Sequence, residues 1–229
     1  MRFLTWNVHG FRDALGRYVG PRVVEALADY PAAVLALQEI DSLARPDAAR
    51  LPLAALAEAY PYQRVTYTIE NRWRRYGHAL LSRVPLHVDR EHDVRCGGLE
   101  VRRLLDAEID GEDGGRLRVI AAHLDLAPWA RYAQLRRIAA VAAAGDLPTL
   151  VLGDLNVWTA QAIRRRVGPG LELVASPPTF PARRPWFALD RALCRPAGLV
   201  RRVSVAPLPR ELSDHLPLLV ETRPEFKGV

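Results

Sequence analysis

The stretch Thr149-Leu150-Val151-Leu152-Gly153-Asp154-Leu155-Asn156 constrains this chain most. An apolar, β-rich run of this length reads as a buried strand, and it stops on a glycine followed by a carboxylate and a carboxamide two positions apart. In extended chain, residues i and i+2 face the same way, so Asp154 and Asn156 are expected to address one small volume at the strand's end. Taken alone, the stretch is better read as an ordinary strand running into a turn of Gly, Asp and Asn. Its meaning depends on whether other strands end in the same manner.

They do. Arg2 to Val8 reads as a strand with Asn7 near its end, and Ala33 to Glu39 as a second, closing on a carboxylate after five apolar residues. A carboxylate there must be solvated, paired or bound to a cation. The run Arg116 to His123 ends on a histidine, a residue that in isolation is more often structural than catalytic. Ser213-Asp214-His215 leads into the last strand, Leu218 to Glu221. Asp190 is expected inside the strand 186–193, where its carboxylate needs a partner.

Between these strands, helical patterns fall at Tyr18 to Asp29, closed by Pro31, at Asp47 to Ala59, at Trp129 to Ala144 and at Thr159 to Val167. Further strands are expected over 62–69, 77–83, 86–91, 99–109 and 200–206, with 110–115 as a hairpin turn. Strands throughout, with helices interposed and no linker or repeat, point to one α/β domain over residues 1–229.

Composition narrows the class. No apolar run reaches the ~20 residues of a membrane span, and no secretory leader precedes the first strand. Cys96 and Cys194 form neither a disulfide framework nor a zinc motif. A reduced, cytoplasmic monomer is the expectation. The net charge of +6 is compatible with a polyanionic partner, but Lys227 is the only lysine among 32 basic residues, a bias that genome composition also produces.

The loop Asn71-Arg72-Trp73-Arg74-Arg75-Tyr76 interleaves arginine with aromatic residues, a pattern that serves stacking on bases as well as an ordinary solvated loop. Arg74, with His78 and Arg83 on the strand that follows, are the candidate substrate contacts. Arg164-Arg165-Arg166 and Arg183-Arg184 are further basic patches, the second in a Pro-rich loop over 176–185 suited to rimming a cleft.

The polar inventory is carboxylates, amides and histidines. Oxygen-rich donors suit Mg²⁺ or Mn²⁺ over Zn²⁺. Neither a GxSxG elbow nor a phosphate-binding P-loop motif is present.

Thr-Trp-Asn-Val-His, Leu-Gln-Glu, Leu-Leu-Ser-Arg, the run ending His123-Leu124-Asp125, Gly-Asp-Leu-Asn and Ser-Asp-His-Leu-Pro occur in this order. The set resembles the endonuclease/exonuclease/phosphatase superfamily over residues 2 to 220, a group spanning deoxyribonucleases, apurinic endonucleases, sphingomyelinases and inositol polyphosphate 5-phosphatases. The resemblance implies a four-layered α/β sandwich, with two mixed β-sheets flanked by helices and a divalent-metal site at one edge.

It also implies roles. Glu39 corresponds to the principal metal ligand, with Asn7 and Asp214 near the ion or its waters. Asp154 corresponds to the group that orients or deprotonates water, and Asn156 to a holder of a phosphoryl oxygen. His215 corresponds to a phosphate contact and acid/base oriented by Asp190, and His123 to the second histidine. Ala122 stands where relatives usually carry Thr or Ser, and His78 where Asn is common.

The expected activity is metal-dependent hydrolysis of a phosphodiester in nucleic acid or a nucleotide. The same chemistry on a phospholipid headgroup or sugar phosphate, and a binding module without catalysis, are the alternatives.

Overall fold

A computed structural model describes residues 1–43, 52–98, 100–111 and 114–223. Two six-stranded sheets face each other. One is ordered β11-β12-β1-β2-β4-β3 and contains β1 (Arg2–Asn7), β2 (Val34–Leu43), β3 (Tyr62–Glu70), β4 (Arg74–Ser82), β11 (Val200–Val205) and β12 (Leu218–Thr222). The other is ordered β5-β6-β7-β8-β10-β9. It contains β5 (Leu86–Asp93), β6 (Arg103–Asp110), β7 (Arg116–His123), β8 (Thr149–Asp154), β9 (Glu172–Leu173) and β10 (Asp190–Arg195).

Each sheet is antiparallel except for one central parallel pair, β1 with β2 and β7 with β8. Parallel neighbours need a crossover, and helices supply it. The first is α1 (Gly20–Ala28), which places Pro21 in its first turn and buries Val23 and Leu27. The second is α3 (Pro128–Ala143), which buries Leu135, Ile138 and Ala142. A short α2 (Pro52–Ala55) and α4 (Ala160–Val167) complete the α-helices among the described residues, beside two 3-10 turns at His9–Phe11 and Arg210–Leu212. The Thr159 hydroxyl caps α4 by accepting from the Ala162 N–H at 3.3 Å.

Three apolar layers follow from strand alternation. On β8, Leu150 and Leu152 pack between the sheets, while Val151 packs under α3 and α4. On β1, Phe3 faces the second sheet and Leu4 and Trp6 face α1. Both faces of each central strand are buried, which is why these runs are continuously apolar. The layers are helix, sheet, sheet, helix, the expected four-layered sandwich.

Several boundaries differ from the sequence reading. Arg74 to Tyr76 belong to β4, which starts before Gly77. Strand β10 begins at Asp190, and Trp186 to Leu189 lie outside it. Strand β6 begins at Arg103, and Val94 to Arg102 carry no strand among the described residues. The first five residues of the helix expected over 47–59, including Asp47, and the turn residues Glu112 and Asp113 lie outside the described residues, and the described remainder is helical only over Pro52–Ala55.

Candidate active site

The two parallel pairs end side by side. In the strand registers Asn7 pairs with Gln38 and His123 pairs with Asp154, so each pair's carboxyl-terminal rung carries polar groups. Crevices outside the carboxyl ends of parallel strands are where α/β sheets bind ligands. Alternation decides which of these side chains meet. Phe3, Val119 and Ala121, Leu152, Ala192 and Leu80 face the space between the sheets. Counting by twos from them puts Asn7, His123, Asp154, Asp190 and His78 on that same face.

Glu39 breaks the count. Leu35 and Leu37 face α1, so an unbroken strand would send Glu39 there too. The β2–β4 register shifts between Leu37 and Ile40, which face Ala79 and Gly77: β2 spends one more residue than β4. This bulge, with Glu39 at φ 56°, returns the carboxylate to the site. The left-handed backbone of a non-glycine residue costs of order 1–3 kcal/mol, which the surrounding sheet must hold in place.

The Nδ2 amide of Asn7 donates to Glu39 Oε1 at 2.9 Å and to Asp154 Oδ2 at 3.1 Å, joining the two sheets. His123 Nε2 stands 3.8 Å from both of those carboxylates. His215 Nε2 stands 3.9 Å from Asp154, and its Nδ1 is 2.8 Å from Asp190 Oδ2. Ser213 ties the segment carrying Asp214 and His215 to β1 through a 2.7 Å bond to the Asn7 carbonyl, and the Trp6 indole donates to the His215 carbonyl at 2.9 Å. Asp214 lies 3.8 Å from His9 Nδ1.

Asn156 does not follow the alternation argument. Strand β8 ends at Asp154, and Asn156 adopts φ 53°. Its side-chain amide donates to the Leu124 carbonyl at 3.0 Å, while its backbone N–H donates to Asp154 Oδ1 at 2.9 Å. The second bond leaves Asp154 Oδ2 as the oxygen facing Asn7 and the two histidines. Gly153 before it is obligatory: a Cβ there would sit 1.8 Å from the Ala122 carbonyl oxygen of β7.

Electrostatics set the two histidines apart. Burial opposes the charge on His215, but Asp190, then Asp154 and Asp214, raise its pKa to about 10. His123 is driven well below the ordinary value by burial and by the Arg102 guanidinium. Burial lifts Asp154 to about 6, against the pull of His215 and the hydrogen bonds from Asn7 and Asn156.

The candidate substrate contacts separate. Arg83 is not at the site: its guanidinium donates to the carbonyls of Ala28, Tyr30 and Ala32 and stacks on Tyr60. It fastens the end of α1 to the sheet. His78 is 1% exposed, so it is not a surface residue. Burial, with Arg102 and Arg103 nearby, lowers its pKa to about 3. Arg74 is half-exposed, paired with Asp41 at 3.1 Å and lying over the Tyr76 ring.

Three residues enter the site that the sequence reading did not assign. Tyr76 hydrogen-bonds to Glu39, and burial followed by that carboxylate raises its pKa. It lies two residues before His78, so strand alternation could have found it. His9 faces Asp214 from the Asn-Val-His run. Arg102 reaches His123 from an irregular segment that carries no periodic signal.

Glu39, Asp154 and Asp214 give this edge three carboxylates, and its one strongly basic histidine is already paired with Asp190. Mg²⁺ and Mn²⁺ bind through one or two carboxylates and water, with no closed cage of protein ligands. Glu39, to which the Asn7 amide donates, with Asp214 at the same sheet edge, offers oxygen donors of the kind these ions take. Among the described residues no group of three or more His, Cys, Asp or Glu is arranged to hold a metal ion by itself.

Comparison with known proteins agrees with this layout. The model of the Endonuclease/Exonuclease/phosphatase family matches residues 4–215. The uncharacterized protein YbhP of Escherichia coli K12 is 30% identical over 246 residues, covering 96% of this chain and 95% of its own. A solved endonuclease/exonuclease/phosphatase from Beutenbergia cavernae superposes with TM-score 0.78 at 21% identity, over 96% of this chain and 70% of that one. A family protein from Leptotrichia buccalis gives TM-score 0.77 at 17% identity, over 97% and 99%. With its central parallel pairs, its polar strand ends and a family match spanning nearly its whole length, the chain belongs to the endonuclease/exonuclease/phosphatase family.

Proposed function

We propose that this chain is a divalent-metal-dependent phosphodiesterase acting on nucleic acid or nucleotides. Enzymes of its family are generally phosphoester hydrolases that depend on divalent metal. The observation that carries the reading is the convergence of Asn7, Glu39, His123, Asp154 and His215 within 2.9–3.9 Å links across the two sheets. A pocket lined by Glu39, Asp154 and Asp214 repels an anionic substrate unless a cation offsets them. Mg²⁺ or Mn²⁺ held by Glu39, with Asn7 and Asp214 beside it, would supply that charge and neutralise the phosphoryl group.

The protein's own groups divide the remaining work. The ionised Asp154 carboxylate accepts a proton from the attacking water as its oxygen bonds to phosphorus. His215, held protonated by Asp190, donates a proton to the leaving oxygen as the phosphorus–oxygen bond breaks. Asn7 and His123 offer N–H groups to phosphoryl oxygens as negative charge builds there. Asn156 serves chiefly by orienting Asp154.

The nucleic-acid part rests on the rim. Arg72 lies 4.4 Å over the exposed Trp73 ring and Arg184 lies 4.8 Å over the exposed Trp186 ring, a pairing suited to bases and phosphates. A second reading keeps the chemistry and changes the substrate to a phospholipid headgroup. The exposed Leu126 and Trp158, on loops that follow β7 and β8, and the exposed Trp129 in the first turn of α3 favour a substrate with an apolar part.

Hydrolysis of bis(p-nitrophenyl) phosphate with Mg²⁺ or Mn²⁺, abolished by EDTA and by Asp154→Ala, tests the enzyme. No turnover with any divalent ion would favour a binding module. Screening single-stranded DNA, RNA, plasmid, nucleotides and phospholipid vesicles then separates the substrates. Nucleic-acid binding that involves several phosphates weakens steeply with salt.

A further inference from the structure

The two histidines of the site are anchored by partners of opposite kind. Behind His215 stands a carboxylate, Asp190, which only accepts. Behind His123 stands a guanidinium: Arg102 Nη1 is 3.0 Å from His123 Nδ1. A guanidinium has five donors and no acceptor. His123 Nδ1 must therefore offer its lone pair, and the ring's one proton must sit on Nε2. Rotating the ring by 180° would leave the guanidinium facing a carbon and forfeit the bond.

The remaining geometry keeps Arg102 in that role. The residue is 5% exposed. Its Nη2 donates to Glu100 Oε2 at 3.0 Å, and Glu100 Oε1 accepts from the Thr68 hydroxyl at 2.9 Å. The Tyr76 carbonyl of β4 lies 3.2 Å from the same hydroxyl and shares its one proton. The guanidinium plane is thus held between the β3–β4 hairpin and the histidine. On the far side, His123 Nε2 is aimed at the gap between Glu39 and Asp154, too far from either carboxylate for a hydrogen bond.

We propose that Arg102 is a positioning residue: by donating to Nδ1 it fixes His123 as its Nε2–H tautomer, aiming a hydrogen-bond donor at a phosphoryl oxygen. This rests on the phosphoesterase reading for its consequence, but the tautomer itself is independent of any substrate. Division of labour follows. His215 moves a proton, and His123 keeps its own.

Nitrogen-15 spectra of histidine-labelled protein, with and without Mg²⁺, test it, the His123 signals being assigned by their loss in His123→Gln. The expected wild-type ring has a protonated, pyrrole-type Nε2 and an unprotonated, pyridine-type Nδ1. In Arg102→Met the two nitrogens should move toward a tautomeric average, and Arg102→Lys, which keeps a donor, should restore most of the wild-type pattern. With bis(p-nitrophenyl) phosphate, Arg102→Met should lower kcat about 10- to 100-fold, the usual loss for a residue that orients a ligating or catalytic group, with KM nearly unchanged. A wild-type His123 protonated on Nδ1, or an Arg102→Met spectrum identical to wild type, overturns the assignment. The wild-type spectrum decides even if the methionine variant does not fold. If no phosphoester is hydrolysed, the functional reading fails while the nitrogen-15 result still stands or falls by itself.

Discussion

His215 Nδ1 and Asp190 Oδ2 lie 2.8 Å apart, both buried, joining the segment before β12 to the first residue of β10 in the opposite sheet. The pair works against desolvation and wins, because Asp190 and then Asp154 and Asp214 hold the imidazole charged up to about pH 10. A raised pKa gives stabilisation that is complete below the ordinary imidazole value of about 6.5 and is lost as pH rises through about 10. The alkaline limb of the pH–kcat/KM profile is therefore expected near that value. Asp190→Asn should move the limb toward neutrality and lower kcat. An unmoved limb would contradict the assignment of His215 as the proton donor.

Glu39→Ala and His215→Ala should each reduce the rate by roughly 100-fold or more, the size of losing an electrostatic stabiliser or an acid/base. EDTA should remove activity in the wild type, and added Mg²⁺ or Mn²⁺ should return it. Kinetics at saturating metal would expose the error if either variant stayed near wild type.

Gly153→Ala should be among the most damaging single-methyl additions in the chain. The new Cβ would meet the Ala122 carbonyl oxygen at 1.8 Å, and the backbone there has φ 148°. A loss of about 2–4 kcal/mol is expected from overpacking and backbone strain together. Urea unfolding measures it, and a variant as stable as wild type would mean β7 and β8 are spaced differently.

Arg83→Ala should lower stability by about 1 kcal/mol, since the side chain is partly solvated and its bonds to three carbonyls are discounted accordingly. Its kcat and KM should match wild type. A selective rise in KM would return Arg83 to the substrate-contact role expected from its position after Leu-Leu-Ser.

His78 should make the protein sensitive to acid. Its pKa is lowered to about 3 by burial and by Arg102 and Arg103, so the folded state keeps it neutral while the unfolded chain takes up a proton below about 6.5. Stability should fall as pH drops between those values, by up to about 1 kcal/mol per pH unit from this residue. His78→Asn should flatten that slope when urea midpoints at pH 5 and pH 7 are compared. An equally steep slope would place the acid sensitivity elsewhere.

The strand cores and their polar ends were legible because continuous apolar runs and period-two alternation are local properties. Asn7, His123 and Asp154 follow from counting along their own strands. Glu39 required knowing that β2 spends an extra residue against β4, which its own sequence does not announce. The alternation argument for Asn156 fails because the extended backbone stops at Asp154, two residues earlier than it needs. Arg83 and Arg102 show the same limit from both sides. The first sits in a family-like motif and serves packing, while the second sits in an irregular stretch and touches a site histidine. A side chain's destination there is set by tertiary partners.

Strand β1 is flanked by β2 on one side and by β12 on the other, and the segment that delivers Asp214 and His215 runs directly into β12. The segment carrying Asp214 and His215 is therefore the last of the site's segments in chain order, well after Asn7, Glu39 and Asp154. The edge of β1 opposite β2 closes only when the last strand arrives, so the placement of Asp214 and His215 and the completion of that sheet are a single event in folding.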